Sequence, residues 1–149
     1  MITTLETTFT VSKTMKNHLT EIRVRYSETD QMGFVYYGAY ASYFEVARVE
    51  LLRAAGINYK DLELSGILMP VSHYEIRYNK PARYDDLLKI HTAIESLTTA
   101  RVKFVYNIQV DDSIMCEATT TLAFIAAHTL RPTRCPQHLI ELLSPASNS

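Results

Sequence analysis

Four alternating segments follow one another through the second half of this sequence with almost nothing between them, and they restrict the fold more than any other feature. The first, about Leu68 to Tyr78, sets Tyr74, Ile76 and Tyr78 on one face; the second, Leu87 to Leu97, aligns Leu88, Ile90 and Ile94. The third, Arg101 to Val110, aligns Val102, Phe104, Tyr106 and Ile108, and the last, Ile114 to Ala126, turns Leu122 and Phe124 inward. A period of two is that of a half-buried strand. The connectors Thr98-Thr99-Ala100 and Asp111-Asp112-Ser113 are short enough for antiparallel hairpins. Such a sheet has an apolar face that must be covered.

The cover lies earlier in the chain. Tyr40, Tyr43, Phe44, Ala47, Leu51 and Ala54 recur at steps of three and four, which predicts a helix from about Ala39 to Ala55 with Gly56 as its C-cap. Val46, Val49 and Leu52 lie off that stripe, so the helix is expected to be central and buried on more than one side. Ahead of it, from Glu21, Ile22, Val24 and Tyr26 alternate with Glu21, Arg23 and Arg25, the pattern of a further strand. A short helical turn is expected around Tyr59 to Leu64. The order predicts an α+β domain in which one long helix packs on an antiparallel sheet. Residues 1–19 read as a loosely held polar arm, 20–136 as the domain, and 137–149 as a tail with a short helix at Gln137 to Leu143 and a frayed end.

Composition narrows the function. At 149 residues and 47% hydrophobic content, one domain can bury its own core without a disulfide or structural metal. A net charge of −1 gives no general drive toward nucleic acid or an anionic membrane, so an anionic ligand must be held by local charges. Two cysteines, Cys116 and Cys135, form neither a metal spacing nor a secreted disulfide framework. With no membrane span and no leader-like apolar run, a cytoplasmic protein is expected.

Chemistry concentrates between Arg25 and Tyr40, where a strand meets the helix through an acidic loop containing Gly33. Asp30 supplies a charged oxygen there, and the free N–H groups that open the helix could polarise a carbonyl, the two elements acyl transfer needs. Asp30 also fits an N-cap or an Asx turn. Glu45 has Arg48 at i+3, which suits an ion pair on the helix surface or at an interface. Tyr36, Tyr37 and Tyr40 could line an acyl pocket or fill the core. Ser72 and His73 are adjacent on a strand and point to opposite faces, and no Gly-x-Ser-x-Gly elbow exists, so a serine triad is not expected. His91 and His128 are isolated, Cys116 reads as a small core residue, and neither a metal nor a cofactor is expected.

The run from Arg25 to Gly33 with Val35-Tyr36-Tyr37 and Tyr43-Phe44-Glu45-Val46-Ala47-Arg48, supported by Tyr78 to Asp86 and Arg131 to Pro136, resembles the hotdog-fold acyl-CoA thioesterases of the 4-hydroxybenzoyl-CoA thioesterase type, including the Tol-Pal-associated subgroup. The resemblance implies a five-stranded antiparallel sheet wrapped around one long central helix, with dimers, or tetramers built from them, that form active sites at the subunit interface. It implies hydrolysis of an acyl-CoA or aroyl-CoA, with Asp30 as nucleophile or general base, the Tyr37 backbone amide as donor to the thioester carbonyl, and Gly33 as the turn between them. Tyr36, Tyr40 and Glu45 are then expected at the substrate, and Arg83, Arg101 and Arg134 at the CoA phosphates. The alternative is a hotdog module that binds acyl-CoA or an acyl carrier without turnover. Three positions depart from the family pattern: Glu28 replaces a first aspartate, Tyr37 a histidine usual in the Tol-Pal-associated subgroup, and Asp85 a glycine at the sheet bend. A backbone donor survives the change at Tyr37; an imidazole does not.

Overall fold

The computed structural model describes residues 16–144. The arm expected over residues 1–19 therefore falls largely outside the described residues, as does the end of the tail from Pro145. Strand β1 (Asn17–Arg23) precedes the long helix α1 (Tyr37–Ala54), and a one-and-a-half-turn helix α2 (Tyr59–Leu64) follows. Then come β2 (Ile67–Leu68), β3 (Val71–Tyr78), β4 (Leu87–Leu97), β5 (Arg101–Val110), β6 (Ser113–Ala123), β7 (Ile125–Ala126) and a terminal helix α3 (Gln137–Leu143).

The five long strands form one antiparallel sheet in the order β1-β4-β5-β6-β3, while β2 and β7 pair separately. β4, β5 and β6 are the consecutive hairpin strands that the short connectors require. β1 and β3 are the two edges, so the chain must travel from one edge to the other between them, and α1 makes that crossing over the concave face. Register breaks between Ile94 and Ser96, between Ile108 and Gln109, and between Val71 and His73 mark bulges, which sharpen the local twist and let the sheet curve round the helix.

The helix buries Ala39, Tyr40, Tyr43, Phe44, Ala47, Leu51 and Leu52. Phe44 is fully buried, with its ring centroid 4.6 Å from that of Tyr106 on β5 and 6.1 Å from that of Tyr74 on β3. The opposite side is open: Val46 is exposed and Val49 only half-buried. The helix is thus central to the sheet but buried along one broad face, because a single sheet can cover only the side it curves around. It starts two residues before the expected Ala39, at Tyr37, and Gly56 follows it with φ +93°, the left-handed geometry of a helix stop.

The first strand begins at Asn17 rather than Glu21, pairing Asn17 with Ala93 and Leu19 with His91. It ends at Arg23, so Val24 is a buried connector and Tyr26 belongs to a turn of 3-10 helix, Tyr26–Glu28. The segment expected from Leu68 divides at Pro70, which has no N–H for a sheet ladder, and the last segment divides at Phe124. Cys116 is a fully buried free cysteine on β6 whose thiol burial pushes up to about 12, the behaviour of a small core residue. His73 instead pairs with Glu75 at 3.3 Å on the exposed side of β3. Among the described residues no helix is long and apolar enough to cross a membrane.

Phe44→Ala removes the ring that seats the helix on β5 and β3. The expected loss is about 3–5 kcal/mol of stability, read from urea unfolding midpoints at unchanged m-value.

Candidate active site

The acidic loop is built by short-range hydrogen bonds. Asp30 Oδ1 accepts from the backbone N–H groups of Met32 at 2.9 Å and Phe34 at 3.2 Å. The Asp30 main chain closes the same turn, its N–H donating to the Phe34 carbonyl at 2.8 Å and its carbonyl accepting from Gly33 N–H at 2.9 Å. Gly33 has φ +82°, a left-handed conformation that a side chain would strain. The Asx turn weighed for Asp30 is therefore formed; the N-cap is not, because that position is held by Tyr36. Among the described residues, Asp30 Oδ2 accepts no protein hydrogen bond.

The helix begins without help. Tyr36 contributes no side-chain cap, and no acidic residue occupies the first turn of α1. The Tyr36 N–H donates to the Glu28 carbonyl at 3.0 Å and the Ala39 N–H to the Tyr36 carbonyl at 3.0 Å. Among the described residues, the Tyr37 N–H finds no protein acceptor. An unpaired donor at the positive end of an 18-residue helix is suited to a developing negative oxygen.

Asp30 and Tyr37 line one cavity of about 360 Å³, together with Phe34, Tyr40, Tyr78 and Lys80. Its walls are mainly aromatic. The Tyr40 ring stands edge-on to Tyr78 at 5.3 Å, and burial pushes the Tyr40 hydroxyl up to about 12, so it stays neutral near pH 7. The Tyr37 ring is 78% exposed, which leaves its main chain, not its side chain, as the fixed contribution. The Tyr36 ring lies outside this lining, over Gly38, where a Cβ would come within 2.6 Å of it.

Glu28, two residues before Asp30, is the better-buried carboxylate, with its side chain 15% exposed. Burial pushes its pKa up, but hydrogen bonds from the Arg25 main chain, the Arg25 guanidinium and the Tyr43 hydroxyl, together with the guanidinium charge, outweigh this and hold it below its ordinary value.

The remaining candidates separate by location. Arg83 lies beside the cavity, its guanidinium 4.7 Å from the centroid of the Phe34 ring. Arg101 pairs with Ala123, and Cys135 N–H donates to the Thr99 carbonyl at 2.7 Å, so Arg101 and Arg134 occupy the β4–β5 hairpin end of the sheet, opposite Asp30. Glu45 and Arg48 form no ion pair among the described residues; both line a second cavity of about 330 Å³ with Ser42, Phe44 and Tyr74. Tyr78, Asn79, Lys80 and Pro81, which the sequence pattern does not point to as site residues, also line the cavity. What signal they carry is a strand ending at an X-Pro step, which turns the chain back toward the helix N-terminus. No group of three His, Cys, Asp or Glu able to hold a metal occurs among the described residues.

A curved antiparallel sheet around one helix, with an acidic loop against that helix's N-terminus, is the hotdog arrangement of thioesterases. Residues 24–143 match the family model described as the thioesterase-like superfamily, and the chain belongs to that superfamily. It is 42% identical over 88 residues to YneP of Bacillus subtilis, provisionally named an acyl-CoA thioesterase, a match that spans 59% of this chain and 64% of that one. The match thus covers less than two thirds of that relative's length. Identity to the acyl-CoA thioester hydrolase YbgC of Escherichia coli is 28% over 120 residues, spanning 80% of this chain and 90% of YbgC. A crystal structure of a DHNA-CoA thioesterase from Staphylococcus aureus superposes with a TM-score of 0.78 at 35% identity, covering 79% of this chain and 80% of that one.

The Glu28 carboxyl gives a pH signature with a definite sign. Its folded-state pKa lies below the ordinary 4.5, so its contribution to stability is complete above that value and is lost as pH falls through the folded value. Melting temperatures of the wild type and Glu28→Gln, taken from about pH 7 to about pH 3, should converge at the acid end.

Proposed function

We propose that the protein hydrolyses an acyl-CoA or aroyl-CoA thioester to the free acid and coenzyme A. What supports this is one cavity lined by both Asp30 and Tyr37, whose Oδ2 and N–H have no protein partner among the described residues. The thioester carbonyl sits with its oxygen toward the Tyr37 N–H, and the negative charge that grows there on attack is stabilised by that donor and the helix dipole, an effect of roughly 3–4 kcal/mol. Asp30 either attacks the carbonyl carbon, expelling the CoA thiolate and leaving a mixed anhydride that water cleaves, or removes a proton from the attacking water. Because its Oδ1 is tied to two N–H groups, the carboxylate is held with Oδ2 outward. A thiolate is a good leaving group, so the route needs no strong general acid and no cofactor beyond the CoA of the substrate.

The aromatic walls formed by Phe34, Tyr40 and Tyr78 suit an apolar or flat acyl group, while Lys80 and Arg83 put positive charge at the mouth for the CoA phosphates. We extend the reading to a homodimer made by β3. This edge pairs with β6 on one side only, and Val71, Tyr74 and Tyr78 on it are exposed. Two copies of β3 running antiparallel bring the Val71 end of one subunit to the Tyr78 end of the other. Arg101 and Arg134 of the partner subunit, and its cavity at Glu45, would then approach the Asp30 site. Light scattering should give a multiple of the 17.0 kDa chain mass, as a dimer or a dimer of dimers. The two buried free cysteines fit a reducing cytoplasm.

Two substitutions isolate the two groups. Asp30→Asn keeps an Oδ1 for the turn but no nucleophile or base, and should lower kcat at least about 100-fold in a thiol-release assay across short, long and aromatic CoA thioesters. Tyr37→Pro deletes the N–H at the first helical position, where proline is favoured, together with the ring that Tyr37→Ala also removes, and Tyr36 already has the extended ψ of 152° that a residue before proline adopts. It should fold and lose roughly 100- to 1,000-fold in kcat, whereas Tyr37→Ala, which keeps the N–H, should lose far less. Full turnover in Asp30→Asn rejects the assignment, and binding of a nonhydrolysable CoA thioester analogue without turnover of any substrate would make the protein a binding module.

A further inference from the structure

Glu28 makes more hydrogen bonds than any other side chain near the cavity, and none points into it. Its Oε1 accepts from the Arg25 N–H and from the Tyr43 hydroxyl, both at 2.9 Å. Its Oε2 accepts from Arg25 Nε at 3.0 Å and Nη2 at 2.8 Å. Its carbonyl accepts from the Tyr36 N–H at 3.0 Å. Both carboxylate oxygens are therefore spoken for, and the group cannot share the chemistry with Asp30.

What these bonds join is informative. Asp30 is two residues beyond Glu28, and Tyr36 immediately precedes the Tyr37 amide. Tyr43 sits two turns into α1, 2% exposed, with its ring edge-on to Tyr40 at 5.8 Å. The loop is thus fastened to α1 at two heights, by a main-chain bond at the helix start and by a side-chain bond deeper in. Two points fix a relative orientation where one leaves a pivot. Aspartate is one methylene shorter, and Glu28→Asp therefore tests whether that length matters.

We propose that Glu28 is a positioning residue which, through Tyr43, holds the Asp30 loop in register with the amide-bearing end of α1. This rests on the reading of Asp30 and the Tyr37 N–H as the reacting pair. Attack and oxyanion stabilisation must meet at one carbonyl, and a displacement of about 1 Å between the two groups is enough to cost on the order of 100-fold in rate. Substrate binding, which draws on the cavity walls, is left intact.

The test is steady-state kinetics on the whole protein, using the best CoA thioester of the panel, beside thermal melts. Tyr43→Phe removes one oxygen and keeps the buried ring, so it should fold; the expected result is a kcat lower by roughly 10- to 100-fold with KM within about twofold of wild type. Glu28→Ala should match it, and the double variant Glu28→Ala/Tyr43→Phe should be no slower than Glu28→Ala alone. Glu28→Gln, which keeps an acceptor at the right length, should recover most of the rate, and Glu28→Asp should not. A wild-type kcat in Tyr43→Phe, or losses in the two singles that multiply in the double, overturns the proposal while Asp30→Asn remains inactive. Full activity in Asp30→Asn overturns the parent reading and this one with it. A role confined to stability would lower melting temperatures and leave kcat of the folded enzyme and the Gln–Asp contrast unmoved.

Discussion

The seating of one helix face on one curved sheet is the interaction from which the rest of the molecule follows. Phe44 and Ala47 are fully buried at its centre, Tyr40 and Tyr43 lie one turn toward the N-terminus, and Leu51 and Leu52 lie toward the other end. A sheet with bulges in three of its pairings can curve enough to meet that face along its length. Once α1 is docked, its first residue has nowhere to be except beside the loop leaving β1 and the bend after β3. The cavity is the gap left where the helix begins and the sheet runs out.

Much of this was legible in the order of the residues. β4, β5, α2 and α3 have the bounds that periodicity and turn chemistry indicate. The start of β1 is hidden in the sequence because Asn17, His18 and Thr20 are polar; it is an edge strand whose pairing to β4 depends on main-chain bonds more than on side-chain burial. Val46 misled in the other direction: an apolar residue on a helix implies a covering surface only if one exists on that side. Within the candidate site, the position of the loop and Asp30 beside the start of α1 was readable from a carboxylate next to a helix start. The contribution of Tyr78 to Pro81 was not, since it arises from a contact between segments about forty residues apart in the chain.

Asp85, one position at which the chain departs from the pattern the resemblance implies, finds a physical explanation. Asp85 stands at φ +70°, a left-handed conformation natural to the glycine it replaces and tolerable for aspartate, at a cost of about 1 kcal/mol. Its N–H donates to the Val24 carbonyl at 3.1 Å and its carbonyl accepts from Arg23 Nη1 at 2.8 Å, which hold the bend in place. Asp30 divides its labour in a related way, giving one oxygen to the turn and keeping the other clear. At Asp30 a small acidic residue is used for its affinity for nearby backbone N–H groups as much as for its charge, whereas the Asp85 carboxylate only faces Arg23 Nε at 4.0 Å.

The bare start of α1 has an evolutionary consequence. A serine or aspartate at position 36 would cap the helix and add about 1 kcal/mol to its stability, an easy gain by ordinary mutation. On the proposed mechanism, its side-chain oxygen, accepting from the N–H groups next to Tyr37, would set a lone pair or a full negative charge where the substrate's oxygen is proposed to sit. The protein would become sturdier and, on that mechanism, slower. On the proposed mechanism, selection for stability and selection for turnover thus pull against each other at a single residue, and Tyr36, whose side chain makes no cap, stands on the side of turnover.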